Sequence, residues 1–404
     1  MNGEFSKCKA RFVFGGHKSV AGVDFHETMA DMASLRSVRT IFALGTASNH
    51  HFYSFDISQA FTFSVCDADV YMELPALEMM GITNPLCGNG KKSGLVAKLK
   101  RMLYGMRDSG RKWMQLLDAF FRSIGANPTV SDAMVYNWSF NGFEAQIAVH
   151  VDDILVSCAD PSVHVELSRL LRDRFGESRV TEEPTTFLLG MSVLHDREKR
   201  QVVLSQAAYT RKLLAAFGID GNARSATTPL PPDPVFKKFE GTASPEDSYR
   251  MMVLCGGLQW LQTCTRPDIA FATNMLARYA SNPSPEHIAY GNRVLRYLSG
   301  TVDMGITYHG SDEVLKSGGY DITNKIVGTV DSDLGGCKDT EKSTSGLILM
   351  LNGGPVIWRS TRQSTVSTGT AEDEFKAAGF FGQQLIPLRD LLSEFGFENA
   401  SVRM

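Results

Sequence analysis

Two short apolar runs, 145–151 (AQIAVHV) and 153–158 (DILVSC), follow one another with only the Asp152–Asp153 junction between them. Each has the length and the Val/Ile content of a strand, so the chain must turn back at the junction into a hairpin with carboxylates near its tip. Ionised carboxylates beside buried strands are costly unless a positive group neutralises them. A hard divalent cation, Mg²⁺ or Mn²⁺, suits them because it prefers oxygen ligands. An Asp-Asp pair by itself is more often a surface turn. A second feature bears on it: Asp56 ends another alternating run, 51–57 (HFYSFDI), and a neighbouring strand could bring it to the hairpin. Three carboxylates from two strands can hold two metal ions roughly 3.5–4 Å apart. Alone, Asp56 would read as a strand-end turn residue.

The remaining patterning places this hairpin in a mixed α/β chain. Helical spacing runs through 36–48, 111–125, 163–176 and 206–218, and strands are expected at 186–194 and 201–205. Residues 222–243, with TTPLPPDP, form a linker or long loop. Ser244-Pro245-Glu246 and Ser284-Pro285-Glu286 each offer an N-cap, a proline at the first helical position and an acidic first turn. The region 244–300 is therefore mostly helical. After residue 303 the order β-β-β-α is expected, closing with a helix over about 371–395.

Composition excludes several classes. The seven cysteines are scattered without a C-x-x-C pair, so no zinc site or disulfide framework is indicated, and reduced intracellular thiols are the simplest reading. No apolar run approaches the roughly 18–20 residues of a membrane span, and no secretory signal opens the chain. The net charge of −3 argues mildly against nucleic-acid binding, but five basic residues fall within 91–101 (KKSGLVAKLKR). Either a basic groove or an ordinary solvated face would account for them.

Over nearly its whole length the chain resembles the polyprotein of copia-type LTR retrotransposons. The segments KARFVFGG, GVDFHET, YSFDISQAF, DVYMELP, LKRMLYGMR, HVDDILVS and LSQAAYTRKLLAAFG are similar, in order and spacing, to its reverse transcriptase. TRPDIA, RYLSGT and STSG resemble the polyprotein's next segment, up to the start of a ribonuclease H domain. The resemblance implies an α+β architecture: reverse-transcriptase fingers and palm over 1–225, a helical thumb or connection over 226–310, and a partial ribonuclease H-like fold over 311–404. It implies an RNA-directed DNA polymerase that joins a dNTP to a primer 3′-hydroxyl with two metal ions. Asp56, Asp152 and Asp153 would be catalytic metal ligands, with the Ile57 carbonyl beside them. Lys9 and Arg11 would meet the triphosphate, Tyr104-Gly105 would form a nucleotide-binding turn, and Phe61 would exclude a 2′-hydroxyl, although Phe61 also suits plain core packing. Leu189-Gly190-Met191 would grip the primer end. Asp331 and Glu374 would be part of a ribonuclease H site. The implied partners are RNA or DNA template-primer, dNTPs and the other polyprotein products (protease, integrase, capsid), within intracellular virus-like particles and without a membrane.

The chain also departs from the family's pattern. His150 replaces the tyrosine of Tyr-Val-Asp-Asp. Arg107-Asp108-Ser109-Gly110-Arg111 replaces Lys-Gln-Ala-Pro-Arg, bringing a negative charge toward a phosphate channel. Thr62-Phe63-Ser64 replaces Leu-Asn-Gly, Gly15-Gly16-His17 lacks the usual basic residue, and Ala30-Asp31-Met32-Ala33-Ser34 replaces Ser-Pro-Val-Val-Arg. The family's early fingers and the end of its ribonuclease H domain are not within the sequence, so ribonuclease H activity is not expected. A decayed, inactive fragment with at most nucleic-acid binding is the alternative expectation.

Overall fold

A computed structural model describes residues 11–73, 96–219, 224–316 and 320–397, with the backbone of 402–403. Helix α1 (Leu35–Ala47) starts at Ser34, whose hydroxyl accepts the Ser37 amide at 3.2 Å. From Ser37 to Ala47 every residue of α1 is buried, as a helix enclosed by other elements requires.

The chain then runs through β1 (His51–Ile57), the paired β2 (Tyr71–Glu73) and β3 (Val96–Lys98), and α2 (Ser109–Ser123). Four further strands come next: β4 (Asn127–Pro128), β5 (Val135–Phe140), β6 (Phe143–His150) and β7 (Asp153–Cys158). After α3 (Pro161–Phe175) comes β8 (Val180–Pro184). The strands form an antiparallel sheet in the order β4-β5-β6-β7-β1-β8. Trp113, Leu117 and Phe121 of α2 and Val163, Leu167 and Leu171 of α3 are buried in its core, each set at the 3–4 residue spacing of one helix face.

The strand expected over 186–194 is two strands, β9 (Phe187–Leu188) and β10 (Met191–Asp196). Leu189 and Gly190 lie between them with φ of +47° and +78°, as a two-residue hairpin turn demands. An added Cβ on Gly190 would stand 2.8 Å from the Trp260 ring. Next come β11 (Gln201–Ser205) and α4 (Ala207–Ala216), then residues 224–243 with no regular element.

Helices α5 (Pro245–Cys264), α6 (Ala270–Ala277) and α7 (Pro285–Gly300) share an apolar core with α4. Ser244 and Ser284 cap α5 and α7, and His287 completes a capping box. The TRPDIA and RYLSGT segments lock together in this region. Arg266, 1% exposed, pairs with Asp268 at 2.7 Å and donates to the Thr301 carbonyl at 2.9 Å; the Tyr297 hydroxyl donates to Asp268 at 2.8 Å. Their chemistry here is structural.

Strand β12 (Ile306–His309) returns to β11, giving a sheet ordered β12-β11-β10-β9, and the short α8 (Asp312–Leu315) comes after it. The final unit is β13 (Ile326–Ser332), β14 (Thr344–Leu351), β15 (Gly354–Arg362) and α9 (Thr370–Glu394), with β16 (Val402–Arg403) parallel to β13. It is tied to α1 and to the loop between β4 and β5: Asn352 donates to the Ala43 carbonyl at 2.9 Å, and Glu394 accepts the Val130 and Ser131 amides at 2.5 and 3.1 Å. Among the described residues no helix is long and apolar enough to cross a membrane, and the described cysteines are free.

Candidate active site

Register decides how the carboxylates meet. Strands β6 and β7 pair His150 with Asp153, and β7 and β1 pair Asp153 with Asp56. Directly opposed residues share a face with Cβ atoms roughly 4.5–5.5 Å apart. His150, Asp153 and Asp56 therefore form a row across three strands, and Asp152 stands in the turn beside it. Asp56 is exposed while its neighbours Phe55 and Ile57 are buried, so the pleat drives the apolar residues into the core and the carboxylate out.

Like charges opposed in this way are unfavourable. Burial first, then the Asp152 and Asp56 carboxylates, push the Asp153 carboxyl above the ordinary aspartate range, and His150 pulls the other way. Among the described residues, no group of three or more His, Cys, Asp or Glu is gathered tightly enough to form a ready-made metal cage. The three aspartates converge as coupled charges rather than as a closed shell. The donor set, carboxylate oxygens only, fits a hard divalent cation.

The turn itself is Val151–Asp152, one residue earlier than the sequence suggests. Val151 has φ +60°, a conformation that a β-branched residue adopts only at a cost of about 1–3 kcal/mol. Its surroundings hold it there. The Trp113 indole N–H donates to the Val151 carbonyl at 2.7 Å. The Ala33 amide donates to the Val149 carbonyl at 2.8 Å, and His150 Nδ1 donates to the Ala33 carbonyl at 3.1 Å. Two departures from the family's pattern, His150 and the 30–34 run, are thus in contact. Asp132 fixes that run by accepting the Ser34 amide at 2.9 Å and the Ser37 hydroxyl at 2.6 Å. Sequence reading misses Trp113, Ala33 and Asp132 because nothing local marks a residue that acts across the fold.

Arg11 and Tyr104 lie beside the carboxylates. The Arg11 guanidinium sits over the Tyr104 ring, 5.2 Å from its centroid, and Phe61 meets that ring edge-on at 4.9 Å. Burial, then Asp152, raises the Tyr104 phenol, with Arg11 opposing and Asp56 adding. Gly105, at φ +90°, lies so close to the Phe14 carbonyl that an added Cβ would fall 2.2 Å from its oxygen. Phe61 is half-buried against the core, so it has packing partners as well as an open side. Lys9 lies outside the described residues. Asp108 stands at the N-terminus of α2, where the helix dipole offsets a negative charge. Much of the described basic cluster is already occupied: Lys98 pairs with Asp69, and Arg101 donates to the Phe63 carbonyl at 2.8 Å. Leu189-Gly190-Met191 forms the β9–β10 hairpin against α5, with the Met191 side chain fully buried.

Asp331 and Glu374 are placed differently. Asp331 lines a cavity of about 450 Å³ with Pro267 and Phe271. Gly328, on the other face of β13, abuts Phe381 of α9. Glu374 is exposed just after the first turn of α9, and its neighbour Asp373 turns inward to accept the Ser343 hydroxyl at 2.8 Å.

Residues 3–232 match the family described as reverse transcriptase (RNA-dependent DNA polymerase). The chain is 31% identical over 396 residues to a retrovirus-related Pol polyprotein from transposon TNT 1-94 of Nicotiana tabacum, covering 96% of this chain and 28% of the relative. It is 30% identical over 396 residues to a retrovirus-related Pol polyprotein from transposon RE1 of Arabidopsis thaliana, covering 98% of this chain and 25% of the relative. A shorter similarity, 39% over 131 residues, links 32% of this chain to 85% of the secreted RxLR effector protein 161 of Plasmopara viticola. The chain spans about a quarter of the length of the two polyproteins.

Proposed function

From the premise that this chain belongs to the reverse transcriptase (RNA-dependent DNA polymerase) family of transposon Pol polyproteins, we propose that it extends a primer 3′-hydroxyl with dNTPs on an RNA or DNA template at the Asp56–Asp152–Asp153 site. The observation that carries the reading is the cross-strand row: Asp56 opposes Asp153 directly, with Asp152 in the adjoining turn.

Asp56, Asp152 and Asp153, with the Ile57 carbonyl, would hold Mg²⁺ or Mn²⁺. Such ions, when bound, activate the attacking hydroxyl and stabilise the charge on the departing pyrophosphate. The chain's own groups do the rest. The 3′-oxygen forms a bond to the α-phosphorus as the bond to the β-phosphate oxygen breaks. Arg11, and Lys9 by position, offer cationic donors to the triphosphate. Tyr104-Gly105 brings backbone close to the nucleotide, and the half-buried Phe61 ring beside Tyr104 leaves no room for a 2′-hydroxyl. The Leu189–Met191 hairpin, backed by Trp260, would steady the primer end. On this reading residues 1–225 would be fingers and palm, 226–310 a helical thumb or connection, and 311–404 a partial ribonuclease H-like unit. The remaining polyprotein products are its expected partners.

The test is primer extension on an RNA template by the purified chain with Mg²⁺ or Mn²⁺. Asp153→Asn should lower incorporation by roughly 10³-fold or more. Well-folded wild-type protein that incorporates nothing with either metal overturns the reading.

A further inference from the structure

A cleft of about 530 Å³ opens where α1, α5, α6 and β15 meet. Arg36 and Arg39 of α1, Gln259 and Gln262 of α5, and Arg359 and Ser360 of β15 contribute to its wall, and no Asp or Glu lines it. Such a wall is selective for anions, since it offers donors and positive charge with nothing to repel a negative group.

Arg39 makes the point most directly. Its side chain is 7% exposed and its guanidinium lies over Trp358, 4.0 Å from the ring centroid. Nε donates to the Leu35 carbonyl at 3.1 Å, and Nη1 donates to the Thr263 and Cys264 carbonyls at 3.0 and 3.2 Å. Carbonyls and a ring orient the cation but do not neutralise it. The other deeply buried arginine, Arg266, has Asp268 as counter-ion; among the described residues Arg39 pairs with no carboxylate, and neither do Arg36 and Arg359. Burial, partly opposed by Tyr308 and Cys264, brings Arg39 down to about 10, so it stays cationic at neutral pH. A buried charge without a counter-ion is strongly unfavourable, which marks the cleft as arranged for a ligand that supplies one. The Ser360 hydroxyl is a second sign, being buried without a hydrogen-bond partner.

The walls are fixed in advance. Trp358 Nε1 donates to the Gln262 carbonyl at 2.7 Å, and Asn274 Nδ2 donates to the Ser360 carbonyl at 3.0 Å. The cleft also adjoins the aspartate hairpin, because Ser34 on its rim follows Ala33, which bonds to Val149 and His150.

We propose that this cleft holds the phosphodiester backbone of the nucleic-acid strand that occupies the hairpin site, with Arg36, Arg39 and Arg359 as its phosphate contacts. The proposal rests on reading the hairpin as a polymerase site. Position favours a polymer over a free phosphate, since the rim residue Ser34 directly follows Ala33, which bonds to the hairpin at Val149 and His150.

The test is fluorescence anisotropy of a labelled RNA–DNA primer-template titrated with the full chain in EDTA across a salt series, so that metal binding plays no part. Arg36→Gln/Arg359→Gln removes the two less buried charges, and Gln259→Glu places a carboxylate at the mouth. Each should weaken binding several-fold, and the double variant should lower the slope of log K against log salt by about 1.8, at about 0.9 per lost contact. Thermal melts matching wild type establish folding. Unchanged affinity and slope in both variants overturn the proposal, as does a wild-type chain that binds no duplex. Inorganic phosphate binding, read by calorimetry, that weakens in the variants while duplex binding is unchanged makes the cleft a small-anion site and also overturns it. Primer extension on the same preparations separates the two readings. Cleft-dependent binding without extension sinks the polymerase alone, and extension with unchanged binding sinks the cleft alone.

Discussion

The sheet carrying Asp56, Asp152 and Asp153 and the sheet carrying Asp331 both set an aspartate near the end of an apolar strand, yet they treat its partners differently. In the first, the partners sit on paired neighbouring strands, so hydrogen-bond register alone forces Asp56 opposite Asp153. In the second, Asp331 is on a strand and Glu374 on a helix. Their approach depends on how α9 docks, and the inward-facing carboxylate of that helix is Asp373. Register is quantised, because a one-residue slip would turn every buried side chain of the strand outward. Helix docking has no such discrete lock. A charge cluster built on a ladder is therefore held even against its own repulsion, whereas one built between layers needs further contacts to close.

The most severe test of this contrast is a pair of substitutions read by one assay. Asp152→Asn should reduce primer extension by roughly 10³-fold or more, while Asp331→Asn should leave it within about twofold, as for an exposed surface change. Equal losses from both would mean that the second sheet serves the first, and the contrast would fail.

A smaller effect probes what holds the first site against strain. Trp113→Phe keeps an aromatic ring but removes the donor to the Val151 carbonyl and leaves part of a fully buried site empty, at an expected stability cost of about 1–3 kcal/mol and with a higher Mg²⁺ requirement for extension. Val151→Gly relieves the positive φ. If the indole exists to hold a strained turn, Trp113→Phe should cost less in the Val151→Gly background, with a coupling of about 0.5–1.5 kcal/mol in urea melts. Strict additivity would show that Trp113 only packs.

Legibility in the sequence divides along the same line. The length and Val/Ile content of 145–151 and 153–158 suffice to expect the hairpin, and the apolar spacing of 36–48 places α1 to within a residue at each end. Ser284-Pro285-Glu286 announces α7, and the capping box with His287 is local chemistry of that kind. The break at Leu189–Gly190 is hidden because leucine is an unexpected residue for a left-handed turn; only the glycine hints at it. The bond from His150 to Ala33 spans 117 positions, so no window along the chain contains both. Arg39 reads as one more position of an apolar helix. Its missing counter-ion becomes visible only once the carbonyls of α5 and the ring of Trp358 surround it.

The two ends of β1 offer a finer comparison. One end carries Asp56. The other leads back to His50, which bonds the Ser157 hydroxyl at 3.0 Å, and lies near His195, whose ring meets Phe52 edge-on at 4.9 Å. Burial first, then His51 and Arg197, hold His50 down to about 4; burial, then Arg197 and His51, do the same to His195. Both imidazoles are therefore neutral in the folded chain where the unfolded chain already takes up protons. Below about pH 6.5 the unfolded state binds more protons, so stability falls as pH drops from there toward 4. His50→Gln with His195→Gln should flatten that decline in melting temperature while leaving the curve above pH 7 nearly parallel to wild type. An undiminished decline in the double variant would move the acid-sensitive element away from this end of the strand, and with it the view that β1 joins a charge-burdened tip to a base that must stay uncharged.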